Sequence, residues 1–145
     1  MIRGGQMYNN ILLAVDGSKN SFRAAEEAIK IASLVKDCTI EVVAVVKFSD
    51  SKSEVLHAKG KEELELSRRL KISPIEEMLK SSNISYEIKM LHGDPGVTIV
   101  DYVNKGKYDL VIIGSRGHNL LQEMVLGSVS HKVIKRVNCP VLIVK

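Results

Sequence analysis

Four short, strongly aliphatic runs punctuate the chain: Ile11–Val15, Ile40–Val46 (interrupted by Glu41), Leu110–Ile113 and Val141–Val144. Each is rich in β-branched residues and too apolar at consecutive positions to leave one side in water. Such strands are covered on both faces, as in a parallel sheet. A fifth run, Ser85–Leu91, alternates Tyr86, Ile88 and Met90 with Glu87 and Lys89, which suits a less buried edge.

Helical periodicity fills the gaps. Ser18 can cap a helix presenting Phe22, Ala25, Ile29, Ala32 and Val35 on one face. The polar stretch from His57 to Ser82 carries Leu64, Leu66, Leu70, Ile75 and Leu79, and Pro74 should start a new turn or kink it. Asp94–Pro95 reads as an N-cap with proline at the first helical position, ahead of Ile99, Val100 and Val103. A last helix holds Val129, Val133, Ile134 and Val137 and stops before Asn138–Cys139–Pro140. The order β-α-β-α-β-α-β-α-β predicts an α/β fold, a parallel sheet joined by right-handed crossovers. Phe48 to Leu56 is expected to be a long polar, mobile loop.

At 145 residues the chain suits one domain spanning 1–145, with residues 1–6 a loose extension before the first strand. Only 4% of residues are aromatic and there is no Trp, so Val, Ile, Leu and Ala must pack the core. No apolar stretch approaches the roughly 20 residues that cross a bilayer, and Met1–Asn10 has no apolar run of a secretory signal. Cys38 and Cys139 are far apart and read as reduced thiols of a cytoplasmic protein. The net charge of +4 comes from cations interleaved with acids, as in Lys59–Lys61–Glu62–Glu63. No aromatic residues alternate with a basic stripe, so neither nucleic acid nor a membrane is the expected partner.

Ligands of open α/β sheets bind beyond the carboxyl ends of the strands, where the strand order reverses. Two strand ends here carry special residues. After the first run comes Asp16–Gly17–Ser18, whose carboxylate can meet a ribose hydroxyl, hold a metal, or simply help to cap the next helix. After the fourth comes Ile113–Gly114–Ser115–Arg116–Gly117, then Gly127–Ser128–Val129–Ser130. Glycines let backbone N–H groups approach an anion, and a helix opening at Gly127–Ser128 favours phosphate, with the hydroxyls of Ser128 and Ser130 as further donors. A glycine turn followed by an ordinary serine cap explains the same residues structurally. The P-loop and dinucleotide-binding glycine patterns are absent. His57, His92, His118 and His131 lack metal-ligand spacing, although His118 lies between the motif glycines.

The spacing G-x2-G-x9-G-[S/T], met by Gly114, Gly117, Gly127 and Ser128, resembles the ATP-binding motif of the universal stress protein family. The likeness also covers Ile11–Ser18, Gly93–Asp94–Pro95, Tyr108–Gly114 and Cys139–Val144. It implies a Rossmann-like, doubly wound three-layer sandwich with a five-stranded parallel sheet of order 3-2-1-4-5. It further implies that Ala14, Val15 and Asp16 line the adenosine side and that Val45 meets adenine. Ile113, Gly114, Arg116 and Gly117 would border ribose and phosphates, and Gly127, Ser128, Val129 and Ser130 would cradle the phosphates. Mg²⁺ or Mn²⁺ would arrive bound through the triphosphate, with no protein metal site.

No base or water-orienting residue is evident beside a γ-phosphate, so slow hydrolysis is compatible with the sequence and dedicated turnover is not indicated. The expected function is a nucleotide-dependent switch in stress response. The alternative is a dimeric interaction module in which nucleotide is absent or incidental. The apolar strand Val141–Val144 would mediate a homodimer in either case. An adenylating enzyme is disfavoured, because no pyrophosphate loop follows the first strand.

Overall fold

The apolar runs fold as strands: β1 (Asn10–Ala14), β2 (Thr39–Val46), β3 (Ser85–His92), β4 (Leu110–Gly114) and β5 (Val141–Val144). The computed structural model describes residues 8–47, 60–115 and 127–145. The predicted Phe48–Leu56 loop and the segment 116–126 lie outside those residues. The strands form one parallel sheet of order β3-β2-β1-β4-β5. This is the α/β, doubly wound arrangement expected.

Side-chain alternation divides the core into two layers. Ile11, Leu13, Ile40, Val42, Ala44, Leu110 and Ile112 face helices α1 (Lys19–Leu34) and α2 (Gly60–Ser81). Leu12, Ala14, Val43, Val45, Val111 and Ile113 face α3 (Pro95–Lys105) and α4 (Ser128–Arg136). The inner strands are buried on both sides, while β3 alternates between exposed and half-buried residues, as its sequence predicts for an edge.

Capping follows the sequence reading. The Ser18 side chain accepts from Ser21 N at 3.2 Å, and Asp94 Oδ2 accepts from Val97 N at 3.2 Å with Pro95 behind it. Two helix faces depart from it. α1 buries Ser21, Ala24, Ala25, Ala28 and Ala32, leaving Phe22 39% exposed. The small residues are the fully buried ones, with Ile29, Ile31 and Val35 packed at the margin of that layer. α2 buries Ile72, Ile75 and Leu79, but Leu66 and Leu70 are 61% and 63% exposed.

α2 also runs through Pro74 instead of ending there. The Leu70 carbonyl, which a residue-74 N–H would normally satisfy, accepts from Ser73 Oγ at 2.9 Å.

The thiols sit at the starts of β2 and β5, separated by β1 and β4. Three inter-strand spacings, about 14 Å, rule out a bond between them. Burial, then the charge of Asp109, pushes both thiols above their ordinary pKa, which keeps them unreactive.

Candidate functional site

β1 and β4 are neighbours, yet their following helices leave on opposite faces of the sheet, α1 on one and α4 on the other. The strand order therefore reverses between them, which opens a crevice beyond their carboxyl ends. Three residues named from the sequence meet at this point on one face. Ala14 is in register with Ile113 on β4 and with Val43 on β2. Val45 lies two residues further along β2, on that same face and level with Asp16. Val15 points to the other layer, and its N–H donates to Val43 O at 2.9 Å.

Asp16 stands exposed at the rim, in a turn closed by its own side chain. Ser18 N donates to Asp16 Oδ1 at 2.9 Å, and Gly17 takes a φ of +84°, open to glycine at little cost. Partial burial would raise the Asp16 carboxyl. The N–H and hydroxyl of Ser18, the Ser21 hydroxyl and the Arg68 charge outweigh it and hold the group below its ordinary value. The carboxylate is thus a stable acceptor across the neutral range.

Gly114 is required by a close approach. A Cβ there would lie 2.6 Å from the backbone carbonyl of Asn20 at the start of α1. Asn20 Nδ2 also donates to the carbonyl of Ser115, which is buried and donates its own N–H to Val144 O at 2.8 Å. Across the crevice, Ser130 Oγ donates to Gly114 O at 3.1 Å, tying the first turn of α4 to the end of β4. Ser130 is consequently buried, whereas Ser128 is exposed and Val129 packs against the α3–α4 layer.

The three helix N-termini with a defined N-cap near the carboxyl edge differ in one respect. α1 and α3 begin under side-chain oxygens of Ser18 and Asp94, but α4 begins at Gly127, which makes no side-chain capping bond. The first-turn N–H groups of Ser128, Val129 and Ser130 lack an intrahelical partner and so face the crevice with the positive end of the helix dipole. Of the remaining residues named from the sequence, Arg116 and Gly117 lie outside the described residues, as does His118. His92 ends β3, with Nε2 2.8 Å from Glu65 Oε1 of α2. Among the described residues no group of three or more His, Cys, Asp or Glu is placed to hold a metal ion. None of their helices is long and apolar enough to cross a membrane.

Sequence reasoning missed Asn20, Arg68 and Lys71. Arg68 Nη1 donates to Asp16 O at 3.3 Å, and the stem of Lys71 lies where a Gly17 side chain would go, 3.0 Å from its ideal Cβ. These contacts join residues about fifty positions apart, and no local pattern marks them. Asn20 had one available signal, its place one turn after the Asp16 carboxylate.

The fold and this rim define a doubly wound α/β protein whose glycine and hydroxyl residues gather at the switch point of the sheet. The chain belongs to the universal stress protein family, whose model matches residues 7–145. It is 36% identical over 152 residues to the universal stress protein MJ0531 of Methanocaldococcus jannaschii, spanning 100% of this chain and 87% of that one. A solved structure of MJ0577, from the same organism, superposes with a TM-score of 0.82 at 29% identity, covering 96% of both chains. A more distant family protein from Arabidopsis thaliana, solved with AMP bound, shares the fold at a TM-score of 0.67 and 21% identity, covering 94% of this chain and 91% of that one.

Proposed function

We propose that this chain is a cytoplasmic ATP-binding protein of stress response in which the nucleotide acts as a switch. The observation that carries the reading is the N-terminus of α4, tied to the end of β4 beside the crevice. It has glycine at its cap and, among the described residues, no side-chain capping bond. The triphosphate would lie over Gly127, Ser128, Val129 and Ser130; Arg116 and Gly117, outside the described residues, are expected to border it by the family motif. Adenosine would lie toward Ala14, Asp16 and Val45, with Ile113 and Gly114 beneath the ribose; Val15, whose side chain packs in the opposite layer, would meet it through its backbone alone. AMP in the Arabidopsis relative supports an adenine nucleotide on this fold.

The described residues fit such a group. Glycine at position 127 puts no side chain at the start of α4, Asp16 supplies an ionised acceptor for a ribose hydroxyl, and Ser128 presents an exposed hydroxyl. Mg²⁺ or Mn²⁺ would be held through the phosphates, completing its shell with water. The chain's own part is binding and orientation. Hydrolysis, where it occurs, would be slow, since Asp16 is occupied with the nucleoside.

A second reading rests on β5, the edge strand whose residues Val141, Leu142, Ile143 and Val144 are each only half-buried. Pairing of this edge with a second copy would give a homodimer whether or not nucleotide is bound.

Replacing Gly127 with Val separates the two readings. The switch reading expects ATP affinity to fall at least tenfold, since a branched side chain enters the cradle, while dimerisation measured by sedimentation is unchanged. Undiminished ATP affinity in this variant would contradict the proposed cradle.

A further inference from the structure

Helix α2 is attached to the sheet in two different ways along its length. Its C-terminal half is anchored by apolar burial at Ile72, Ile75 and Leu79. Its N-terminal half is not: Leu66 and Leu70 face solvent, and polar contacts reach the carboxyl rim of the sheet instead. Glu65 meets His92 at the end of β3, and three residues on, Arg68 donates to the Asp16 carbonyl beyond β1. Residues three apart lie on one side of a helix, so these two contacts form a single polar edge along the rim. The next turn brings Lys71 against Gly17.

The Asp16–Gly17 turn is therefore gripped from two directions. From its own chain, Ser18 N fixes the carboxylate at Oδ1. From α2, the Arg68 guanidinium hydrogen-bonds the peptide carbonyl of the same residue, and the Lys71 stem packs closely on Gly17, 3.0 Å from where a Cβ would stand. The Arg68 hydrogen bond is made to the backbone of Asp16, and its charge also acts on that residue's carboxylate. A guanidinium suits this task because its planar fork keeps a fixed direction, which an ammonium does not.

We propose that Arg68 is a positioning residue of the nucleotide site, holding the Asp16–Gly17 turn from α2 so that the carboxylate is presented to the nucleoside. The inference rests on the ATP-binding reading above and adds α2 to the site. It also distinguishes Arg68 from Arg116, because Arg68 acts through the turn and touches no phosphate.

The test compares Arg68→Gln and Arg68→Lys with the wild-type chain, each titrated calorimetrically with ATP and with adenosine. Thermal melts and amide NMR spectra are recorded without ligand. In Arg68→Gln, ATP and adenosine are expected to weaken by the same factor, roughly five- to tenfold, the scale of one exposed hydrogen bond. Arg68→Lys is expected to recover part of that loss. The melting temperature should stay within about 3 °C of wild type, as for an exposed contact. The Gly17 and Ser18 amide resonances should move. A loss confined to ATP would make Arg68 a phosphate ligand and overturn the proposal. Unchanged affinities, or a loss matched by a large fall in melting temperature, would also overturn it. If the wild-type chain binds neither ligand, the ATP reading fails separately. The spectra then decide the present point, and unmoved Gly17 and Ser18 resonances would overturn it.

Discussion

At the scale of single residues, three positions carry most of the argument. Gly114 is fixed by the Asn20 carbonyl, which stands where a Cβ would go. Gly114→Ala is expected to destabilise the chain by about 1–3 kcal/mol through overpacking, read from urea unfolding midpoints. Asp16 is held below its ordinary pKa by Ser18, Ser21 and Arg68 against partial burial. A depressed carboxyl contributes stability above its unfolded value near 3.9 and loses it as pH falls through the folded one. Its contribution to ATP binding should therefore be flat from about pH 5 to 8 and fail only in acid, which titrations at stepped pH will show. Tyr108 lies at the opposite end of the sheet. Burial, then a hydrogen bond to Glu41, drives its phenol far above the ordinary range, and Tyr102 donates to that carboxylate as well at 2.6 Å. A raised pKa gives stability that is complete below about pH 10 and is lost as pH climbs beyond it. Tyr108→Phe should be less stable at neutral pH by about 1–2 kcal/mol and should lose less on going from pH 9 to 11. An unaltered alkaline limb would refute that role.

Among the elements, the strands and caps were open to sequence reading and two helix faces were not. β5 spans the predicted Val141–Val144, β2, β3 and β4 differ from expectation by one residue at one end and β1 by one at each end, because β-branched runs have few other folded uses. In α1 the apolar periodicity suggested a face through Phe22, Ala25, Ile29, Ala32 and Val35. Ala25 and Ala32 are indeed buried, but the face used is centred nearer Ser21, Ala24 and Ala28 and leaves Phe22 out. Counting large residues misled here, because alanine lets a helix approach the sheet closely, and that approach places Asn20 against Gly114. In α2, leucines at 66 and 70 imitate a core stripe, but the rim of the sheet offers polar partners there. Hence Ile75→Ala should cost about 2–4 kcal/mol, whereas Leu66→Ala should change stability by less than about 0.5 kcal/mol. Thermal melts of the two variants check the division, and equal losses would show that the N-terminal half is also packed.

For the molecule as a whole, the order β3-β2-β1-β4-β5 sets where chemistry can happen. Strand order followed from a family resemblance and the elements from periodicity, and together they place the crevice from sequence alone. The sequence also located the glycines and hydroxyls, because a strand end and a helix start are local features. It gave no sign of Arg68, Lys71 or the Ser130–Gly114 bond, which exist only once α2 and α4 fold back on the sheet. Arg116 and Gly117 remain expectations, as they fall outside the described residues. The most direct test of the ATP claim is calorimetric titration of nucleotide-free protein with ATP, ADP and AMP, with and without Mg²⁺. The account predicts micromolar ATP binding that weakens as phosphates are removed, because the α4 N-terminus acts on the phosphates. No heat and no thermal stabilisation by ATP would contradict it and leave a dimeric interaction module built on the β5 edge.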